Sequence, residues 1–176
     1  WLEEHTPGRI DWDRLKEICE ERNRMMEYEL ELWEMIARRP APMAAEAVYL
    51  GHLWFFNVCS GLKSSTEVFR KLVEMAKDNM EKGIAAHPNE KYRTLLWNPP
   101  TLHFLDLFVW AERAYGVTCI MDSMTFNRLP FIDTSSEESM LRGIGRNIMN
   151  GPMARHTRGP MENYFDVMMH IVKRFE

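Results

Sequence analysis

The stretch at residues 91–123, KYRTLLWNPPTLHFLDLFVWAERAYGVTCIMDS, constrains the fold of this chain most. Its first part, residues 92–97, is a short apolar run with a basic start, which favours a β-strand. Asn98-Pro99-Pro100 breaks that run, and proline suits the first turn of a helix. The pattern therefore predicts a strand, a tight turn and the start of a helix.

The rest of this stretch predicts a buried helix and a second strand. From Leu102 onward, apolar residues recur at helical spacing and cover almost the whole circumference, which is typical of burial. Gly116 predicts the end of the helix, and the apolar run Val117–Met121 predicts the second strand. A right-handed crossover between parallel strands is the simplest arrangement. Such units bind their ligands where strands end and helices begin.

Apolar periodicity, caps and stop signals predict the other helices. They are a helix at 11–39 capped by Asp11 and stopped at Pro40, one from Pro42 to about Val58, one at about 65–83 with a Ser64/Glu67 capping box, one at about 135–149 with a Thr134/Glu137 capping box, and a last one from Pro160. We expect most charges of the first helix to lie on a solvated face, so that it could act as a spacer between domains. The very apolar second helix is expected to be buried or to form an interface.

Together these elements predict an α/β protein, with a helical N-terminal half followed by a Rossmann- or flavodoxin-like parallel strand–helix–strand unit. We expect a helical interdomain region at 1–88 and the first half of a parallel α/β domain at 89–176. Two parallel strands do not make a stable sheet, so further strands must come from missing chain, a partner or misread runs. Because the sequence has no initial Met and stops after an amphipathic helix, we expect an internal fragment.

Composition argues against several classes of function. A net charge of −4 gives no reason to expect nucleic acid or an anionic membrane as a partner. No apolar run approaches the roughly 20 residues that span a bilayer. Cys19, Cys59 and Cys119 are far apart and form no CxxC motif, so we expect a reducing, cytoplasmic compartment. Inside a predicted strand, Cys119 is an inert core residue or, as the alternative, a metal ligand.

Candidate site residues gather at the predicted carboxyl ends of the strands. Asn98 and Pro99 lie where a strand end meets a helix N-terminus, which suits an anion or a carbonyl oxygen of a substrate, although a plain tight turn is the alternative. His103 is a candidate catalytic acid or hydrogen-bond donor, or else a structural histidine. Asp122 and Ser123 are expected on the same rim, where Asp122 either contacts a ligand or only caps the loop.

Arginines form a second set of candidates for substrate binding. The loop that leads to Arg128 is long enough to fold over a substrate. A basic group later in the chain could hold phosphates, such as those of a coenzyme A tail, or could form a solvated face. Its members are Arg142, Arg146, Arg155, His156 and Arg158.

Four segments of the chain resemble the D-component (beta) type subunit of 2-hydroxyacyl-CoA dehydratases and benzoyl-CoA reductases. They are IDWDRLKEICEERNRMMEYELELWEMIARRPAPM, KYRTLLWNPPTLHFLDLFVWAERAYGVTCIMDSMTFNR, NIMNGPMARHTRG and MENYFDVMMHIVKRFE. The chain departs from the family in two places. It has Asn98-Pro99 where the family usually has Gly before Pro, and Met153 where many members have a cluster-ligating cysteine.

The resemblance implies a lyase that works as a heterodimer with a homologous subunit. It also implies an iron–sulfur cluster, usually [4Fe–4S], and an ATP-dependent activator protein that delivers one electron. In this family the electron passes to an acyl-CoA thioester, and the resulting ketyl radical expels the hydroxyl group; in the reductases the electrons go to an aromatic ring. Given Met153, we expect the cluster ligands to lie outside these 176 residues, and the fragment alone to be inactive.

Two other functions stay open at this point. One is a flavodoxin-like domain that binds a small ligand and only shares the strand–turn–helix layout. The other is a non-enzymatic helical module that uses the helices at 11–39 and 42–58 as a docking surface.

Overall fold

The computed structural model describes residues 1–97, 104–126, 128–151, 154–155 and 158–176. Its elements, in chain order, are α1 (Leu2–His5), α2 (Trp12–Ile36), α3 (Ala45–Leu50), a π-helical segment (Gly51–Val58), α4 (Lys63–Glu81), β1 (Tyr92–Leu96), α5 (Asp106–Tyr115), β2 (Val117–Asp122), α6 (Glu137–Met149) and α7 (Met161–Phe175). This is a mixed α/β fold in which helices precede a parallel pair of strands, as predicted.

The strand–helix–strand unit has the predicted topology. β1 and β2 pair in parallel, and α5 lies between them in sequence. Gly116 ends α5 in the left-handed conformation, with φ 70°. A Cβ atom there would lie 2.5 Å from the carbonyl oxygen of Asn89, so glycine is needed both for the conformation and for the space.

The pairing of the two strands contains a β-bulge. Thr94 pairs with Cys119, whereas the next residue of β1, Leu95, pairs with Met121. Ile120 is therefore an additional residue in β2 without a counterpart in β1. The bulge brings Asp122 opposite Leu96, at the carboxyl edge of the sheet.

The prediction that the helix before Gly116 is buried is wrong for α5. None of the residues from Asp106 to Tyr115 is buried, and Leu107 and Trp110 are 51% and 56% exposed. The reason is the width of the sheet, because two strands can cover only one side of a helix that is apolar almost all round.

α2 is the opposite case. Asp11 caps it as predicted, accepting a hydrogen bond of 2.9 Å from the backbone N–H of Arg14. The helix packs along α4, and its residues Met25, Leu32 and Ile36 are completely buried. One face of α2 therefore belongs to the core, while most of its charged side chains are exposed, as predicted. Its role as a spacer between domains stays a prediction.

One apolar cluster joins the helical half to the strand unit. It contains Leu32 of α2, Ile120 of β2 and Ile171 of α7, among others. The division at residues 88 and 89 stays a prediction, since nothing in this packing tests whether the two parts are separate domains.

Two predicted capping boxes are wrong. α4 begins at Lys63 with Leu62 as its N-cap, so Ser64 already lies inside the helix and cannot cap it. At the start of α6, the box is formed by Ser136 and Ser139 rather than by Thr134 and Glu137. The predicted helix at 42–58 begins at residue 45 and changes to π-helix at residue 51.

Candidate functional site

The carboxyl ends of β1 and β2 meet at one edge of the sheet, where the candidate site was expected. Ser123 joins them, since its backbone N–H donates to the carbonyl oxygen of Leu96 at 3.1 Å and its hydroxyl donates to that of Trp97. The Ser123 hydroxyl is thus engaged by the protein itself. Three other candidates for this rim, Asn98, Pro99 and His103, lie outside the described residues.

Asp122 is buried directly behind this rim, with 3% of its surface exposed. Its carboxylate accepts hydrogen bonds of 2.8 Å from the backbone N–H groups of Met124 and Thr125, and a third from the Thr125 hydroxyl. It therefore caps the turn at residues 123–126. Burial raises the pKa of Asp122, against the opposing effects of these hydrogen bonds and of the charge on His52. A carboxyl group with a raised pKa is typical of proton-transfer sites.

A small cavity of about 10 Å³ lies beside Asp122. Tyr49 of α3, Phe108 of α5 and Thr125 also line it. This volume is about that of one water molecule and far below that of a coenzyme A thioester. Burial, together with the charge of Asp122, raises the pKa of Tyr49, so the phenol stays protonated beside the carboxyl group.

A second buried acid lies further from the rim, and the sequence analysis missed it. Glu29 of α2 is fully buried and bonds to the ring of His52 in the π-helical segment. Sequence spacing contains a signal for it: Cys19, Met26, Trp33 and Ile36 form the apolar stripe of α2, and Glu29 falls on that stripe rather than beside it.

Arg128 lies in the loop after β2, as expected, but another residue of the protein engages its guanidinium. Its Nη2 atom is 2.9 Å from a carboxylate oxygen of Glu34 on α2, and Glu34 also pairs with Arg174 on α7. The Arg128 side chain is half exposed and lies 5.8 Å from the ring centre of Phe126. The loop is thus tied to α2 in this structure.

Two of the later arginines, Arg142 and Arg158, have side-chain partners nearby in the sequence. Arg142 forms an ion pair with Glu138 one turn earlier on α6, at 2.7 Å. Arg158 contacts the side-chain oxygen of Asn150 at 3.5 Å, and the backbone N–H of Arg155 donates to the carbonyl oxygen of Gly151 at 2.8 Å. Their role in binding phosphate stays a prediction, and His156 lies outside the described residues.

A family model for the 2-hydroxyglutaryl-CoA dehydratase D-component matches residues 1–176, the whole chain. The chain belongs to this family. The resemblance of the four sequence segments is thereby confirmed. Membership makes this D-component a part of a 2-hydroxyacyl-CoA dehydratase, with a partner component and an acyl-CoA substrate. Neither the comparison with curated proteins nor that with solved structures gives a match.

The described part of this D-component does not form a metal site. It contains no group of three His, Cys, Asp or Glu side chains that could hold a metal ion. Burial raises the pKa of the Cys119 thiol to about 12, and burial also raises that of Cys19. Within the described residues, neither Cys19 nor Cys119 belongs to a group of three side chains that could bind a metal ion.

Within the described ranges, no helix combines the length and the apolar character needed to cross a bilayer.

Proposed function

We propose that this chain is part of an acyl-CoA dehydratase subunit that removes water from a 2-hydroxyacyl-CoA, or that reduces an aromatic acyl-CoA. The observation that carries the proposal is the family match over all 176 residues. In the dehydration, the hydroxyl group on C2 and a proton on C3 leave as water, and a 2,3-double bond forms. No net oxidation or reduction of the substrate is needed.

In this proposal, the rim at the end of β2 is the part of the chain that faces the substrate. Asp122 is the candidate for holding a proton there, because its burial raises its pKa. Arg128 is the candidate for contacting the phosphates of coenzyme A, after it exchanges Glu34 for the more highly charged ligand. Asn98, Pro99, His103, Ser123 and Arg155 are further candidates for binding at this end of the sheet.

We further propose that the complete protein binds a [4Fe–4S] cluster through cysteines outside these 176 residues. Such a cluster supplies single-electron transfer when it is bound. Among the described residues, Cys19 and Cys119 are not grouped with further metal-ligating side chains, which supports placing its ligands elsewhere. The proposal also includes a homologous partner subunit and an ATP-dependent activator that provides the electron.

The proposal can be tested by producing the complete protein with its partner subunit and activator under anaerobic conditions. We expect iron, acid-labile sulfide and ATP-dependent formation of a 2-enoyl-CoA from a 2-hydroxyacyl-CoA. A second assay with an aromatic acyl-CoA separates dehydration from ring reduction. A complex without iron that converts neither substrate after reconstitution would rule out the proposal.

Two matched variants test the placement of the site. In the complete protein, Arg128→Ala should raise the KM for the acyl-CoA about tenfold or more, because a charge-assisted contact to phosphate is lost. Arg14→Ala, which removes an exposed arginine paired with Glu17 within α2, should leave the KM unchanged. Equal KM values for the two variants would show that coenzyme A does not bind at this loop.

A further inference from the structure

Two adjoining grooves lie where β1 begins, at the opposite edge of the sheet from the rim. The polar groove has a volume of about 340 Å³ and is lined mostly by polar and charged side chains, His87 among them. The apolar groove has a volume of about 310 Å³ and is lined by β1 and by the end of α7. Three cationic side chains form the wall that the grooves share: Arg39, Lys91 and Arg93. Cavities of this size suit small organic molecules.

Arg93 is the buried member of the shared wall. Its side chain is 7% exposed and pairs with Glu90, which is 8% exposed, at 2.8 Å. The Nη1 and Nη2 atoms of Arg93 also donate to the carbonyl oxygens of Arg38 and Ile36, at 2.9 and 3.0 Å. Glu90 in turn accepts a hydrogen bond of 2.9 Å from the backbone N–H of Ala41. These contacts hold the segment after α2 in place on both sides.

Arg39 and Lys91 bring two positive charges to the wall without an acidic partner. Within the described residues, neither forms an ion pair, whereas Glu90 balances the charge of Arg93. The stem of Lys91 packs at the end of α5, 3.0 Å from the position of a Cβ atom at Gly116. Burial lowers the pKa of Arg93, Glu90 opposes this effect and the charge of Arg39 adds to it. Like charges thus lie close together here, and a bound anion would relieve their repulsion.

One buried donor of the wall is not satisfied by the protein. The Nε atom of Arg93 has no hydrogen-bond partner within the described residues, although both terminal nitrogens are engaged. An unpaired buried donor costs about 1–3 kcal/mol, and more on a charged group. Two unpaired cations and an unpaired donor in one wall are the chemistry of an anion-binding site rather than of a solvated surface.

The acidic side chains nearest the polar groove are occupied. Glu90 pairs with Arg93, as described above. Glu112 of α5 bonds to Nδ1 of His87, whose side chain is 9% exposed. This bond fixes the imidazole ring and leaves Nε2 as the nitrogen that can meet a ligand in the groove. The two acids therefore do not compete with an anion for Arg39 or Lys91.

The apolar groove changes character beyond the shared wall. Its lining there consists largely of apolar side chains: Leu95, Ile120, Val172 and Phe175. Ile120 and Phe175 belong to the core, which makes this surface well supported. Glu176 also lines the groove, so a second anionic group is disfavoured at that end. A ligand that fits both grooves therefore has an anionic head and an apolar body.

We propose that the two grooves form a binding site for an organic phosphate monoester, separate from the rim. Arg39 and Lys91 contact the phosphate group, whose charge of about −1.5 to −2 at neutral pH matches their two positive charges. A monocarboxylate would leave one of these cations unpaired. The apolar body of the ligand lies along the apolar groove, and Arg93 is a positioning residue that fixes the end of α2.

Isothermal titration calorimetry with the complete protein and phenyl phosphate tests the site. The Arg128→Ala variant serves as the background, so that the proposed phosphate contact at the rim does not contribute. In this background, Arg39→Gln and Lys91→Gln should each raise the Kd about tenfold, because a charge-assisted contact is lost. Arg9→Gln and Lys71→Gln are matched controls that should leave the Kd unchanged, since both residues are exposed and line neither groove.

A second comparison tests the apolar groove. Phenyl phosphate should bind more tightly than inorganic phosphate, since its ring buries apolar surface. Val172→Ser should raise the Kd for phenyl phosphate about threefold and leave that for inorganic phosphate unchanged. No binding of phenyl phosphate at about 1 mM, or equal Kd values for the groove variants and the controls, would overturn the inference. Because no acyl-CoA is used, this result is independent of whether the dehydratase activity is found.

Discussion

α2 and α5 differ in how closely their burial follows from their composition. α2 is rich in charged residues, yet ten of its residues are buried, and Glu21, Arg22 and Glu29 are among them. α5 is apolar almost all round, yet none of its residues is buried. The difference lies in their neighbours, because α2 packs against α4, α6 and the π-helical segment, whereas α5 packs mainly against one strand.

The comparison shows that burial follows from the number of packed neighbours more than from composition. Where α2 buries a charge, a partner accompanies it, such as His52 for Glu29. Where α5 exposes an apolar side chain, the described part of the chain supplies nothing to cover it. Four changes to the protein test this difference, and they are given from the largest expected effect to the smallest.

Trp33→Ala should have the largest effect on stability. Trp33 is 2% exposed and lies between the rings of His52 and Phe126. Its truncation leaves a cavity in the core, so the free energy of unfolding should fall by about 3–5 kcal/mol. Urea unfolding followed by circular dichroism measures this value. A loss below about 1 kcal/mol would show that α2 is not the core helix described above.

Gly116→Ala should have the next largest effect. The residue that ends α5 packs closely against Asn89, whereas the faces of this helix are exposed. A side chain at φ 70° costs about 1–2 kcal/mol, and the Cβ atom would also meet Asn89. Gly145→Ala on α6 is the control, since no atom lies within 4 Å of its Cβ position. It should raise stability by up to about 1 kcal/mol. Equal effects of the two substitutions would contradict the left-handed end of α5.

The pH dependence of stability should reveal the buried pair of α2. Because the pKa of His52 is raised in the folded protein above its ordinary value of 6.5, its contribution is complete below pH 6.5. It is lost as the pH rises through the raised value. The loss should be about 1.4 kcal/mol for each pH unit of the difference. The stability of His52→Gln should lack this decline, and a decline of the same size in both proteins would assign it to another group.

Trp110→Ser on α5 should have the smallest effect. The side chain is 56% exposed, so its removal should change the free energy of unfolding by about 0.5 kcal/mol or less. The same urea titration measures it alongside Trp33→Ala, which makes the two tryptophans a matched pair. A loss of several kcal/mol in the complete protein would show that another segment or a partner covers α5 there.

The sequence was sufficient to predict the strand–helix–strand unit and the position of its rim. Local signals determine both: Gly116 ends the helix, and Asp122 follows a β-branched and apolar run. The sequence left two roles open for Asp122, a contact to a ligand or a cap of the loop. The structure shows that its carboxylate caps the turn at residues 123–126. Whether it also serves a ligand stays a prediction.

Features that depend on distant parts of the chain could not be predicted in this way. The pairing of Glu29 with His52 joins residues 23 positions apart, and a single sequence does not show which carboxylate meets which imidazole. The predicted starts of α4 and α6 are wrong because the pairs Ser64/Glu67 and Thr134/Glu137 match a capping pattern but do not lie at the helix ends. The exposure of α5 depends on the width of the sheet, which no local pattern encodes.

The additional residue in β2 has a consequence for how this gene can change. Paired residues on neighbouring strands present their side chains to the same face, so the pairing with β1 fixes the faces of Met121 and Asp122. Loss of the single codon for Ile120 would leave both pairings possible and would make the ladder regular. Selection should therefore tolerate a one-residue deletion here better than in a regular strand, where it would exchange the faces of all the residues that follow.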